Sequence, residues 1–317
     1  MTYTVIDLFC GGGGFSRGFS MEGFKVILGI DNDYYCVKTF SSNFPKAIAL
    51  LKDVREVDRR LILEYVGDEP DVLIGGSPCE PFTSVNPNRA KEPIERLYID
   101  ELGQLTLHFI RLIDELRPKI FILENVPELT DEPLGSIIRR EIERTGYEVF
   151  FNFLKAEDYG VASIRHRVFI SNIKIIPEKV KEKATVWDAI KDLPVPGSNS
   201  IPNHDYVSIS EKKLKKISKL KWNEALYRFK GAKGIYRNYI RLHPYKPAPT
   251  VMGCSRFVHP FENRLLTVRE QARIMSFPDD HIFHGPKDAQ FNQVGEAVPP
   301  LLARAIAQVV KKYLKSL

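Results

Sequence analysis

The residues best placed for chemistry in this sequence lie just beyond short apolar runs. Cys79 stands in Gly75-Gly76-Ser77-Pro78-Cys79-Glu80-Pro81-Phe82-Thr83, a stretch too rich in glycine and proline for a helix or a strand. A thiol held in such a loop is available as a nucleophile once ionised, whereas a cysteine kept only for packing belongs in a core. Glu124-Asn125 closes another apolar run and offers a carboxyl group for proton transfer. Gly11-Gly12-Gly13-Gly14 follows the first run, and Asp31 comes about 20 residues later, where a carboxylate can bind ribose hydroxyls. Ser16 and Arg17 occupy the positions where a dinucleotide fingerprint needs its third glycine. Hydride transfer from a nicotinamide is therefore disfavoured, and a nucleoside cofactor without a pyrophosphate fits better. Each residue also has a plainer reading: a structural turn for the glycines, an inert thiol for Cys79 and a helix cap for Glu124.

The elements that must position these groups read as α/β. Strands are predicted over Thr4 to Phe9, Lys25 to Asp31, Asp71 to Ile74 and Lys119 to Leu123, with helices over Phe15 to Met21 and before Pro118. Leu105, Phe109, Leu112, Ile113 and Leu116 mark the apolar face of the second helix. Tyr147 to Leu154 and Arg167 to Ile173 read as a hairpin completing the sheet. Beyond Ile173 the alternation of strand and helix breaks down among prolines 194, 196 and 202. It resumes near Pro249 and ends in a helix from Leu301 to Leu314. The expected division is a catalytic and cofactor-binding domain over 1–176, a small basic domain over 177–245 and a return segment over 246–317. In an open parallel sheet, ligands bind past the carboxyl ends of the strands, so a single crevice could receive the glycine turn, Asp31, Cys79 and Glu124.

Charge narrows the class of partner. The chain has 317 residues and a net charge of +6, yet Tyr206 to Lys246 holds 12 Lys/Arg against 2 Asp/Glu, leaving 34 basic and 38 acidic residues elsewhere. Tyr206, Trp222, Tyr227, Phe229, Tyr236 and Tyr239 are interleaved with those cations. The pattern suits phosphate contacts with bases stacked on the rings, the alternative being a solvated lysine-rich surface. The four cysteines show no zinc-type spacing, so no metal is expected, and no apolar stretch approaches the roughly 20 residues of a membrane span. A monomer in the cytoplasm, associated with the nucleoid, is the expectation.

Six ordered motifs resemble the DNA cytosine-5 methyltransferase family, from Asp7 to Pro300. They are Asp7-Leu8-Phe9-Cys10-Gly11-Gly12-Gly13-Gly14-Phe15, Pro78-Cys79, Glu124-Asn125-Val126 and Arg165-His166-Arg167 after Tyr159-Gly160. Leu265 to Arg273 with Phe277-Pro278-Asp279, and Gln293 to Pro300, complete the set. The resemblance implies a Rossmann-like mixed sheet, S-adenosylmethionine as cofactor and a small target-recognition domain. The implied substrate is a cytosine in double-stranded DNA, flipped out of the duplex. Cys79 would add to C6, Glu124 would contact N3 and the exocyclic amine, and Arg167 would hold O2 with Arg165 beside it. Phe9 would pack on the adenine, Asp31 would bind the ribose, Asp53 would accept from the adenine amino group, and Gly11 and Gly13 would cradle the methionine part. Pro78, Leu105, Glu296 and Val298 complete the implied cofactor contacts. A cognate restriction endonuclease is an implied partner. An RNA (tRNA) cytosine methyltransferase on the same fold, or a catalytically weak nucleic-acid-binding homologue, are the alternatives. The sequence departs from the pattern at Glu80 (usually Gln), Ala162-Ser163 (Pro-Gln), Glu296 (Asn) and Leu102 (Arg).

Overall fold

Alternating side chains on the central strands are apolar toward both faces, so the sheet they form has to be covered on both sides. The computed structural model describes residues 2–198 and 200–317. Seven strands form the main sheet: β1 (Thr4–Leu8), β2 (Lys25–Asp31), β3 (Ile48–Leu51), β4 (Val72–Gly76), β5 (Ile120–Asn125), β6 (Phe150–Lys155) and β7 (His166–Ser171). Their order is β3-β2-β1-β4-β5-β7-β6; all run parallel except β7, which pairs antiparallel with both β5 and β6. On β5, Phe121 and Leu123 join one apolar core with Phe109, Leu112 and Leu116 from the helix Gln104–Leu116. Ile120 and Ile122 face the opposite core, with Phe15 and Phe19 from the helix Gly14–Met21 and Ile306 from the helix Pro300–Leu314. Those last two helices pack so closely that a Cβ on Gly18 would stand 2.3 Å from the Ala303 Cβ. The chain runs outward from β1 toward β3 and then returns to place β4 on the other side of β1. That reversal opens a crevice past the strand ends.

The β6/β7 hairpin and the C-terminal helix stand where the sequence puts them, with ends shifted by a few residues. The helix Tyr34–Asn43 and β3 were not anticipated. β3 is four residues long and half-buried, so it carries almost no periodic signal. The helix before it is capped by Asp33, whose Oδ1 accepts from the backbone N–H groups of Tyr35 (2.7 Å) and Cys36 (2.9 Å).

The segment past Ile173, expected to break the strand and helix alternation as a small basic domain, carries its own sheet and helices. A second sheet contains β8 (Ala225–Lys230), β9 (Ile235–Arg241) and β10 (Phe257–Val258), with β9 central. The helix Glu211–Ile217 carries the lysine-rich stretch. A third core beneath this sheet combines Val186, Ile190, Ile240 and Leu242 with Phe257, Leu266, Ile274 and Phe277, so residues on both sides of position 245 pack together. Among the described residues no helix is long and apolar enough to cross a membrane.

Candidate active site

The strand ends open into one cleft of about 1030 Å³ between the main sheet and the smaller lobe. Cys79, Glu124, Arg165 and Arg167 line it, as do Phe9, Gly11, Asp31, Asp53, Pro78, Leu105, Glu296 and Val298. Gly13 does not. Its φ of 76° makes the turn, and a Cβ there would meet Phe44 at 2.7 Å, so Gly13 faces the packed side while Gly12 and Gly14 accompany Gly11 along the cleft.

Strand register brings the thiol loop and the carboxyl group together. β4 pairs with β5 so that Gly76 lies opposite Glu124, and a Cβ on Gly76 would stand 3.1 Å from Glu124 Oε2. The absence of a side chain leaves room for the carboxylate beside the loop that leads to Cys79. That loop is anchored from β5, since Asn125 Nδ2 donates to the Ser77 carbonyl (3.1 Å) and to its hydroxyl (3.0 Å). A tight turn follows, in which the Cys79 carbonyl accepts from the N–H groups of Phe82 (3.0 Å) and Thr83 (2.9 Å). Arg167 Nε lies 3.0 Å from Glu124 Oε1, an ion pair whose N–H is not aimed at the oxygen. Glu124 Oε1 is buried without a hydrogen-bond partner. An orphaned acceptor at the wall of a cleft is the form a substrate-binding atom takes. Burial pushes the Cys79 thiol up to about 12; Glu80 and Glu124 add to this, while Arg167 and Arg165 oppose it. The resting group is therefore a thiol, and its ionisation has to accompany bond formation.

Arg165 lines the same cleft, yet its hydrogen bonds run to the protein. Its guanidinium is buried and donates to the carbonyls of Val251 (3.0 Å), Gly295 (2.9 Å) and Glu296 (3.3 Å). Desolvation pulls its pKa down to about 9. The resemblance implied a contact with the target. In the structure Arg165 clamps the start of β7 to the return segment, and its Nε has no hydrogen-bond partner.

On the other side of the cleft, Asp31 Oδ2 accepts from Gly11 N–H (2.8 Å) and Oδ1 from Asp33 N–H (2.9 Å). Each oxygen keeps accepting capacity for a hydroxyl. Burial raises the Asp31 pKa against the opposing pull of those N–H groups. A Cβ on Gly11 would find nothing nearer than the Phe9 carbonyl at 4.0 Å, so it would project into space that a ligand can use. Asp53 is held bidentate by Arg55, at 3.0 and 2.7 Å, which keeps its carboxyl below the usual range. A hollow over a glycine turn, flanked by carboxylates and the Phe9 ring, fits a nucleoside bearing a cationic amino-acid tail.

Several supporting residues were not singled out beforehand. His281 is buried with Nε2 2.7 Å from the Gly12 carbonyl, and burial drives its pKa down to about 3, which keeps the ring neutral. Asp7 is buried against the Ser16 hydroxyl (2.6 Å), and desolvation lifts it to about 7. Ser84 ties the nucleophile loop to the smaller lobe: Tyr236 donates to its hydroxyl (2.9 Å), that hydroxyl donates to Glu128 (2.8 Å), and Lys233 N–H donates to its carbonyl (3.2 Å). The contact joins parts of the chain about 150 residues apart, and no local pattern signals it. The aromatic residues expected to stack on bases largely pack on one another. Tyr227 lies 5.2 Å from Tyr239, Phe229 lies 5.8 Å from Tyr236, and Trp222 donates to the Pro260 carbonyl (3.0 Å) beside His243 and Phe261.

Comparison with known proteins agrees with this arrangement. Residues 3–312 match the family model described as C-5 cytosine-specific DNA methylase. A Methanocaldococcus jannaschii protein named provisionally as a type II methyltransferase is 46% identical over 98% of this chain and 99% of its own length. The type II methyltransferase M1.HphI of Haemophilus parahaemolyticus is 38% identical over 98% of this chain and 87% of its own. A crystal structure of a provisionally named DNA modification methyltransferase from an E. coli prophage is similar with a TM-score of 0.81. It shares 28% identity and covers 99% of this chain and 100% of that one.

Proposed function

We propose a catalytic route from the premise that this chain belongs to the C-5 cytosine-specific DNA methylase family and is a DNA cytosine-5 methyltransferase. The route is methylation of a cytosine in duplex DNA through a covalent bond between Cys79 and C6, with the base turned out of the helix into the cleft. The observation that carries it is the register of Gly76 against Glu124, which sets the thiol loop and the unpartnered carboxylate oxygen at neighbouring strand ends of one cavity. A base stacked inside a duplex cannot reach a thiol at the floor of such a cleft, so extrusion is part of the proposal.

S-adenosylmethionine, when bound, supplies an electrophilic methyl group on a sulfonium. Asp31 holds the ribose hydroxyls, Phe9 packs against the adenine, and the turn at Gly11 leaves room for the amino-acid tail. Asp53 and Leu105 border the adenine side of the same cleft, with Pro78 and Val298 along it. Sulfur bonds to C6 as the Cys79 proton passes to solvent, and the C5–C6 π pair moves to C5, which becomes an enamine-like carbon nucleophile. Glu124 contacts N3 and accepts from the exocyclic amine, and a proton shared with N3 during attack keeps charge from accumulating on the ring. Arg167, beside Glu124, binds O2 and favours the developing thiolate by its charge. The lysine-rich helix Glu211–Ile217 and the β8/β9 hairpin hold the DNA backbone. The names of the type II relatives support a paired restriction endonuclease as partner.

The test supplies labelled methyl donor with duplex DNA or with tRNA, followed by digestion and mass analysis of the nucleosides. The expected product is 5-methylcytosine from duplex DNA, absent with Cys79→Ala although that variant still binds the cofactor. Label in tRNA alone, or label retained by Cys79→Ala, would overturn the proposal.

A further inference from the structure

One step of that route has no residue assigned to it: after methyl transfer, C5 carries both a methyl group and a proton, and that proton must leave. Cys79 is bonded to C6, Glu124 is committed to N3, and Arg165 and Arg167 are cations. Among the other carboxylates lining the cleft, two stand apart. Glu80 follows the nucleophile directly, and Glu296 ends the helix Lys287–Glu296. Among the described residues, neither carboxylate makes a hydrogen bond or ion pair to the protein, whereas Asp7, Asp31 and Asp53 in the same cleft are all hydrogen-bonded. Glu296 is nonetheless firmly placed. Its carbonyl and that of Gly295 are bonded by Arg165, and its side chain lies over Gly253, where a Cβ would come within 2.8 Å of Oε1.

Resting on the covalent route above, we propose that Glu296, unpartnered in the same cleft as Cys79, is the base that removes the C5 proton. Glu296 takes the proton, the C5–H electron pair becomes the C5–C6 double bond, and the C6–S bond breaks with its pair going to sulfur. Cys79 leaves as a thiolate, and Glu296 then returns the proton to solvent. No oxidant or second reactant is needed. The groups facing Glu296 suit this role. Crowding by protein atoms, then Glu80 and Asp31, push its carboxyl up to about 7 against the opposing pull of Arg165, with Asp33 a further acidic neighbour. Cys36 faces it too, as a thiol that burial keeps neutral. A carboxylate at this level accepts a proton more readily than an ordinary surface glutamate and is still ionised in a large fraction at neutral pH.

The experiment compares wild type with Glu296→Gln, Glu296→Asp and Glu80→Gln on two duplexes, one with ordinary cytosine and one with 5-fluorocytosine at the target. The fluorinated base has no C5 proton to lose, so it reports only the steps up to methyl transfer. At saturating methyl donor, wild type and Glu296→Gln should trap on it at equal rates. On ordinary cytosine, Glu296→Gln should accumulate a methylated, denaturant-stable protein–DNA adduct and turn over about 100-fold more slowly, the scale of a lost general base. Glu296→Asp should recover part of the rate. In wild type the rate of adduct release should rise with pH through about 7, and Glu80→Gln should move that rise to lower pH by removing a neighbouring negative charge. Wild-type turnover by Glu296→Gln would overturn the proposal. So would slower trapping on 5-fluorocytosine, or a loss confined to cofactor affinity, since either places Glu296 at an earlier step. If wild type itself fails to trap, the covalent route falls and this assignment falls with it.

Discussion

Replacing Arg165 with methionine separates two roles that the sequence alone would merge. Methionine keeps much of the apolar volume but removes the donors that hold the carbonyls of Val251 and Gly295 at 3.0 and 2.9 Å and, less tightly, that of Glu296 at 3.3 Å. Hydrogen bonds from a charged donor contribute about 1.5 to 3 kcal/mol each, and buried acceptors left without a partner add to the loss. The guanidinium is itself costly to bury, which offsets part of that sum, so the net destabilisation should be about 3 to 5 kcal/mol. Urea unfolding of the purified protein measures it directly. Arg167→Met should lose only about 1 to 2 kcal/mol, since it gives up an ion pair with Glu124 and one bond to the His166 carbonyl. It should nevertheless lose methyl transfer. The reasoning is refuted if Arg165→Met unfolds at the wild-type urea concentration while its turnover collapses, because Arg165 would then act on the substrate.

Asp31→Ala should weaken cofactor binding by about 1 to 3 kcal/mol, the cost of losing a buried acceptor, with further loss as the Gly11 turn loosens; unchanged affinity by calorimetry would remove the ribose assignment. Because burial lifts the Cys79 thiol to about 12, its alkylation in the free protein should climb about tenfold per pH unit from pH 8 to 11. A plateau near pH 9, read by peptide mapping with the exposed Cys254 as internal reference, would contradict that electrostatic picture. Charge removal at Lys212, Lys213, Lys215 and Lys216 should weaken duplex binding and flatten its dependence on salt by about one unit of log–log slope per lost phosphate contact. Binding indifferent to ionic strength would place the docking surface elsewhere.

What could be read from the residues, and what could not, divides along physical lines. The core strands were legible because burial on both faces makes them apolar along most of their length, as in β5, where Ile120 to Leu123 are apolar and buried. The positions of Cys79 and Glu124 were legible because one follows β4 and the other stands near the end of β5, and strand ends are where a parallel sheet exposes its loops. β3 was missed because four half-buried residues give no period, and β8 and β9 because their exposed faces carry Arg, Lys and Tyr in no simple alternation. Arg165 and Arg167, two residues apart on one segment, look equivalent as sequence. Their fates differ because one guanidinium is drawn under the return segment, more than 80 residues away in sequence, and the other reaches the neighbouring strand. The same limitation applies to Gly13, whose place in a glycine run does not reveal that Phe40 and Phe44 pack behind it. Tyr236 reads as a stacking ring until the fold brings it to Ser84.

The central claim concerns one sulfur atom, and a covalent trap addresses it. Duplex DNA carrying 5-fluorocytosine is incubated with the protein and the methyl donor, the product is denatured and digested, and the DNA-bearing peptide is sequenced by mass spectrometry. The expected peptide is the one spanning Gly75 to Thr83, modified at Cys79 and carrying a methylated fluoropyrimidine. A linkage at Cys10, Cys36 or Cys254, or no linkage in a preparation that methylates ordinary DNA, would contradict it.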